Sequence, residues 1–286
     1  MPQPIQTVIS PEDLLARIDE PGLALLEINA SPEARKREAG DLPGSRIVYW
    51  KDLAWDDSRR LLATAEEFSE RLFRLGAGED STIVLYGEPT QFAAYLIWAL
   101  RVRGYRNIAY LDGGLGAWKA LGYPTSAERS VERTPAARPL SVPTASEADE
   151  RNLIGRDGVL ASVESRDALL LDFRSPEEYS GARVSGTEAP IDHGAERHGR
   201  IPGARHFYFR ELLDETGRFR PVEEIRAAAQ KRGALEADRI INYCRLAHRS
   251  TLGWLALTEL LGLSNVRVYD GSWTEWGSIV GVPVEK

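Results

Sequence analysis

Apolar residues along this chain come in short runs, and stretches of helical period lie between them. Residues 23–28 form one such run and predict a strand. Residues 64–74 predict a helix, with Thr64 as N-cap and Glu67 three positions later, the pattern of a capping box. A strand is expected over 83–86, a helix over 92–103 and a strand over 108–111. A turn at Gly113 and Gly114 and a short helix around Trp118 follow. The later half reads the same way, with strands over 169–173, 239–243 and 266–269 and helices over 222–232 and 252–261. Short apolar runs alternating with amphipathic helices predict an α/β fold, a mostly parallel sheet with helices on both faces.

The two halves are copies of one another. Leu25-Leu26-Glu27-Ile28 matches Leu170-Leu171-Asp172-Phe173, and Ser31-Pro32-Glu33 matches Ser175-Pro176-Glu177. Leu42-Pro43-Gly44-Ser45 matches Ile201-Pro202-Gly203-Ala204. Ile83-Val84-Leu85-Tyr86-Gly87 matches Ile240-Ile241-Asn242-Tyr243-Cys244. Leu111-Asp112-Gly113-Gly114 with Trp118 matches Tyr269-Asp270-Gly271-Ser272 with Trp276. From Gly44 onward the offset stays between 157 and 159 residues, so the chain reads as a duplicated domain. The second copy carries about 14 extra residues near 183–199, rich in Gly, His and charge, which predicts a functional loop near the reactive end. The proline-bearing stretch from Pro124 to about Glu147 reads as a semi-extended linker. Domains are therefore expected over 1–128 and 148–286, with the linker over 129–147.

Cys244 is the only cysteine. It follows a strand and precedes a helix, for which Ser250 is the expected N-cap, and Arg245, His248 and Arg249 lie in the intervening loop. A free thiol is only about 3% ionised at pH 7, and shifting its pKa down by about two units takes roughly 2.7 kcal/mol. Helix N-termini and nearby cations supply such a shift, and loop amides can converge on an anion as a nest. A structural cysteine packs as a small hydrophobe; arginines one and five positions away argue instead for a reactive thiol.

Net charge narrows the partners. With 36 Lys and Arg against 43 Asp and Glu, the net charge is −7, which disfavours nucleic acid and anionic membranes. A single cysteine allows no intramolecular disulfide. Met1 to Ser10 lacks a basic region followed by an apolar core, and no run is long enough to span a bilayer. A cytoplasmic, monomeric protein is the expectation.

Taken together, these motifs resemble the two-domain rhodanese family of thiosulfate and 3-mercaptopyruvate sulfurtransferases. The similarity covers nearly the whole chain. It is most specific at Tyr269-Asp270-Gly271-Ser272-Trp273-Thr274-Glu275-Trp276. His198-Gly199-Arg200-Ile201-Pro202-Gly203-Ala204 resembles the family's His-Ile-Pro-Gly-Ala motif, with the histidine displaced by two residues. The resemblance implies two rhodanese-like domains and an active loop over 244–249. Cys244 would be the nucleophile, and Arg245, His248, Arg249 and the backbone of Leu246, Ala247 and Ser250 would bind the substrate. It also implies transfer of sulfane sulfur from a small anionic donor to cyanide or a thiol, without metal or organic cofactor. Basic loop residues favour thiosulfate over mercaptopyruvate as donor, since guanidinium groups bind tetrahedral oxyanions through paired donors. A persulfide carrier serving a protein partner is the alternative. A phosphatase is less favoured, because four residues separate Cys244 from Arg249 where phosphate loops have five.

In the first copy Gly87 stands at the cysteine position and Glu88-Pro89-Thr90 replaces the basic loop, so that copy is expected to be inactive. Asp172 and Arg174 follow a strand and are further candidates for the site, with an ion pair or a turn-forming role as the competing reading. Trp273 is a candidate wall of the site but, like Trp276, more readily core, and Glu275 is expected to fix a turn. His193 and His198 lack a standard zinc spacing and are expected to be solvated.

Overall fold

Every strand pairing of the two sheets is parallel, and each sheet has its longest strands in the middle. The computed structural model describes residues 5–32, 40–56, 58–129, 131–144, 149–187 and 189–286. Glu33, part of one repeat match, lies outside them. The first half contains β1 (Val8–Ile9), α1 (Pro11–Arg17), β2 (Leu23–Asn29), β3 (Arg46–Tyr49), α2 (Trp50–Ala54), α3 (Ala65–Arg74), β4 (Thr82–Glu88), α4 (Gln91–Val102), β5 (Ile108–Leu111) and α5 (Gly114–Ala120). The second contains β6 (Leu153–Ile154), α6 (Arg156–Ser165), β7 (Leu169–Asp172), α7 (Pro176–Ser180), β8 (Arg205–His206), α8 (Val222–Gln230), β9 (Ile240–Tyr243), α9 (His248–Leu255), β10 (Val266–Tyr269) and α10 (Ser272–Trp276). Sheet orders are β1-β5-β4-β2-β3 and β6-β10-β9-β7-β8, the same order twice.

The chain divides into two units, one of Met1–Asp149 with Glu215–Arg218, the other of Glu150–Asp214 with Phe219–Lys286. All seven residues of β2 and all four of β9 are buried. That is how strands covered by helices on both faces read in sequence, as unbroken apolar runs rather than alternation. The capping box at the start of α3 forms as expected: Glu67 N–H donates to Thr64 Oγ1 at 3.2 Å, and Thr64 N–H donates to Glu67 Oε2 at 2.7 Å.

The duplication extends to individual hydrogen bonds. Tyr86 Oη donates to Glu27 at 3.1 Å and accepts from Leu42 N–H at 3.3 Å. Tyr243 Oη donates to Asp172 at 2.7 Å and accepts from Ile201 N–H at 3.2 Å. In both copies a buried tyrosine bridges a strand-borne carboxylate to the Pro-Gly turn. Between the copies, the Arg133 guanidinium donates to four carbonyls, those of Ile18, Leu23, Pro43 and Gly44, at 3.1 to 3.2 Å. The segment read as a linker is thus fastened to the first unit at Arg133.

Two departures from the sequence reading concern the second copy. The helix expected over 252–261 starts earlier, at His248, and its last turn widens to π-helix over Ala256–Leu260. Helix α6 was not foreseen; it buries only Val159 and Ser162, too few positions to give a period.

Candidate active site

Strand β9 lies at the centre of its sheet, between β10 and β7. In open parallel sheets ligands bind beyond the carboxyl ends of such strands. Tyr243 is still paired, opposite Asp172, and the chain lifts away at Cys244. Ala247 then adopts a left-handed conformation, φ 61°, and becomes the N-cap of α9. The expected N-cap, Ser250, instead sits in the first helical turn, where its Oγ donates to the Ala247 carbonyl at 2.9 Å. The reversal at Ala247 closes the turn early, so the positive end of the helix lies within the loop itself.

Residues just after β10 hold the loop from behind. Trp273 N–H donates to the Cys244 carbonyl at 2.9 Å. Thr274 donates to the Arg245 carbonyl twice, from N–H at 3.0 Å and from Oγ1 at 2.8 Å. The amides of Cys244 and Ala247 both donate to Ser272 Oγ at 3.2 Å. Among the described residues, the amides of Arg245, Leu246, Arg249 and Ser250 have no protein acceptor. Four N–H groups around one cysteine are therefore left for a ligand, as at the start of any uncapped helix.

Cys244 is 1% exposed. Burial by itself suits a packing cysteine; its neighbours do not. Arg245 and Arg249 both lie within electrostatic reach of Cys244. They differ in commitment. Arg249, expected from the sequence to receive the substrate anion, donates Nη1 and Nη2 to the two oxygens of Glu178 at 2.6 and 2.8 Å. Glu178 is fully buried and also accepts from Ser175 N–H at 3.0 Å, closing a capping box on α7. Burial would raise its carboxyl, but the bonds from Arg249 and that cation's charge outweigh it and hold the group below the usual carboxylate range. Burial pulls Arg249 down and the Glu178 carboxylate more than restores it, leaving the guanidinium above its ordinary value.

Arg245 is the cation with open donors. It is partly buried, and its guanidinium makes no hydrogen bond to protein among the described residues. Burial and then the charge of Arg249 push it below its ordinary value, while Glu178, Cys244 and Asp192 pull the other way. His248, the first residue of α9, is 6% exposed.

The extra residues of the second copy reach this loop. Asp192 Oδ1 accepts from Val184 N–H, Ser185 N–H and Ser185 Oγ, each at 2.9 Å, and so shapes the insertion. Gly194, at φ 115°, faces the Arg245 guanidinium so closely that a Cβ there would stand 2.7 Å from Nε. Arg197 donates to the carbonyls of Trp276, Gly277, Ile279 and Val282 and fastens the far end of the insertion. His193 and His198 contact the carbonyls of Ile191 and Gly181, each at 3.1 Å. Sequence reasoning located the insertion but not Asp192 or Gly194.

Asp172 and Arg174, the further candidates, form a fully buried ion pair at 2.6 Å. Arg174 also donates to the Gly199 carbonyl at 2.8 Å and lies 4.5 Å over the Trp273 ring. Asp172 also accepts from Tyr243 Oη at 2.7 Å, so the pair packs against both that tyrosine and the indole. Trp273 is buried as a core residue, and its indole N–H donates to the Arg197 carbonyl at 3.1 Å. Glu275 accepts from Tyr269 Oη at 2.7 Å, the turn-fixing role expected of it.

The first copy differs at the end of its central strand. There β4 continues through Gly87 and Glu88, paired with Ile28 and Asn29, where β9 stops at Tyr243. A Cβ on Gly87 would stand 2.9 Å from the Ile28 carbonyl oxygen and 3.1 Å from that of Pro89.

Comparisons with known proteins bear on the fold and the family. The family model described as Rhodanese-like domain matches residues 10–121 and again 156–279. The sulfur carrier protein TtuD of Thermus thermophilus is 34% identical over 285 residues, covering 98% of this chain and 97% of that protein. A Haloferax volcanii protein named "Putative thiosulfate sulfurtransferase" is 35% identical over 276 residues, covering 94% and 90%. The crystal structure of Tum1 from Saccharomyces cerevisiae superposes with a TM-score of 0.73 at 23% identity, covering 96% of this chain and 95% of that one, and so shares the fold. With two parallel five-stranded sheets, each matched by the same domain model, the chain belongs to the rhodanese-like family.

Proposed function

We propose that this protein is a thiosulfate sulfurtransferase that carries sulfane sulfur as a persulfide on Cys244. One observation carries the reading. The only cysteine of the chain sits among four unpartnered loop amides and beside Arg245, whose guanidinium has no protein acceptor among the described residues. That is a receptor for a small anion with a nucleophile inside it.

The Cys244 thiolate attacks the outer sulfur of thiosulfate. A bond forms between Sγ and that sulfur, the sulfur–sulfur bond of thiosulfate breaks, and sulfite leaves with its electron pair. Arg245 binds the sulfonate oxygens through its fork. Arg249 adds positive charge but is held by Glu178. The loop amides of Arg245, Leu246, Arg249 and Ser250 and the end of α9 stabilise the terminal sulfur anion, and His248 lines the same turn. Cyanide or a thiolate then attacks that terminal sulfur and releases the Cys244 thiolate. Two half-reactions through one covalent intermediate give ping-pong kinetics. None of these steps calls on a metal or organic cofactor. The first copy, with Gly87, supplies no nucleophile and serves as structure. We assign the reaction to a single chain in the cytoplasm, where a reducing environment keeps a lone thiol free.

A second reading rests on the relative named a sulfur carrier protein, at 34% identity along nearly the whole chain. In that case the same persulfide would pass to a protein acceptor with little turnover on cyanide. Intact mass after incubation with thiosulfate tests both: one added sulfur atom, removed by cyanide, is expected. Rapid steady-state thiocyanate formation favours the enzyme; loading without turnover favours the carrier. Faster turnover with 3-mercaptopyruvate than with thiosulfate would reassign the donor. A Cys244→Ser variant that still makes thiocyanate overturns the persulfide scheme.

A further inference from the structure

Ser272 carries a feature that its own position does not require. It is fully buried and adopts φ 50°, a left-handed conformation that a serine takes at a cost and a glycine takes freely. The first copy uses glycine there: Gly114, at φ 54°, follows β5 as Ser272 follows β10. The same backbone turn is therefore made in both copies, and only one of them adds a hydroxyl to it. That copy is the one with the cysteine.

The hydroxyl is fully used. It donates its single proton to the Tyr269 carbonyl at 2.8 Å and accepts from the amides of Cys244 and Ala247 at 3.2 Å each. One donor and two acceptor sites are all that a serine side chain possesses. Cys244 and Ala247 are three residues apart, so Ser272 Oγ spans the loop like the bond that closes a turn. Its consequence lies in which amides it takes. Those of Cys244 and Ala247 are drawn to the rear, while those of Arg245, Leu246, Arg249 and Ser250 have no protein acceptor among the described residues. Ala247 is itself left-handed, at φ 61°, the kind of residue at which a loop turns its amides toward one point.

We propose that Ser272 is a positioning residue for sulfur transfer. Its hydroxyl ties back two amides of the loop so that the other four converge on the terminal sulfur anion of the Cys244 persulfide. The inference rests on the persulfide reading above and adds to it a residue that touches neither donor nor acceptor. It also accounts for why a strained serine stands where glycine suffices for the fold.

The test uses the full chain with Ser272→Gly and Ser272→Ala. Glycine is the first copy's own solution, so Ser272→Gly is expected to fold, the relief of left-handed strain offsetting part of the three lost hydrogen bonds and leaving only a modest fall in Tm. Its kcat with thiosulfate and cyanide should nevertheless fall at least tenfold, with KM for thiosulfate changed less than threefold. The sulfur-loaded form, followed by intact mass after thiosulfate is removed, should lose its extra sulfur at least tenfold faster than the wild type. Ser272→Ala keeps the strain without the hydroxyl and should share both losses. Wild-type kcat and wild-type persulfide lifetime in either folded variant overturn the role of Ser272, while the persulfide scheme stands as long as Cys244→Ser is inactive. If Cys244→Ser retains turnover, the scheme itself fails, and Ser272 falls with it.

Discussion

Arg249 and Glu178, 71 residues apart in the chain, meet as a doubly hydrogen-bonded ion pair at 2.6 and 2.8 Å. The carboxylate is fully buried and the guanidinium side chain is 14% exposed. The pair pins the first turn of α9, and hence the Cys244 loop, to the start of α7. Glu178→Ala would leave a nearly buried cation without its partner. A loss of about 3–5 kcal/mol in stability is expected, measured by chemical denaturation, and a loss under 1 kcal/mol would show that the pair is not what holds the loop.

The same pair sets an acid limit. The Glu178 carboxyl is held below its ordinary value of 4.5. A group lowered in the folded state contributes stability that is full above its unfolded pKa and is lost as pH falls through its folded one. The wild type is therefore expected to lose stability progressively as pH drops below about 4.5, and Glu178→Gln to show a shallower fall over the same range. Equal slopes of Tm against pH in the two proteins would assign the acid sensitivity elsewhere.

Arg245 is expected to govern donor binding and not folding, because its guanidinium has no protein acceptor among the described residues. A hydrogen bond to a charged group contributes about 1.5–3 kcal/mol. Arg245→Ala should thus lower kcat/KM for thiosulfate by roughly 10- to 100-fold, mainly through KM, with Tm little changed. Arg245→Lys keeps the charge but not the planar fork and should fall between. An unchanged KM in Arg245→Ala would exclude this side chain from the anion site.

Restoring a thiol to the first copy should not restore chemistry. A Cβ at Gly87 would crowd the Ile28 and Pro89 carbonyls, and Glu88 follows directly. Gly87→Cys in a Cys244→Ser background is expected to make no thiocyanate and to be less stable by about 1–3 kcal/mol. Turnover in that double variant would mean that the first loop retains a working cradle.

Much of this molecule was legible in the chain itself. The bounds expected for the strands at 108–111 and 266–269 are those observed; at 108–111 four consecutive apolar residues are all buried, and at 266–269 three buried apolar residues flank the half-buried Arg267. The capping box at Thr64 and Glu67 was likewise readable, since both partners lie within one turn. The two-residue strands β1, β6 and β8 were not, being shorter than any period. Ser175 and Glu178 carried the same capping signal as Thr64 and Glu67 and could have been found by it. That Glu178 also receives Arg249 could not.

Local order along the chain, then, was enough to determine the duplicated parallel sheets and the single thiol at the end of a central strand. Apolar pattern, spacing and hydrogen bonds within one helical turn are properties of residues near one another in the chain, and a sequence records them. Tertiary structure alone decided which arginine is neutralised and which is left open, that Ala247 turns left-handed, and that Ser272 captures two loop amides. Each of those outcomes depends on groups brought together from 25 to 71 residues away, and only the folded backbone sets the distance between them.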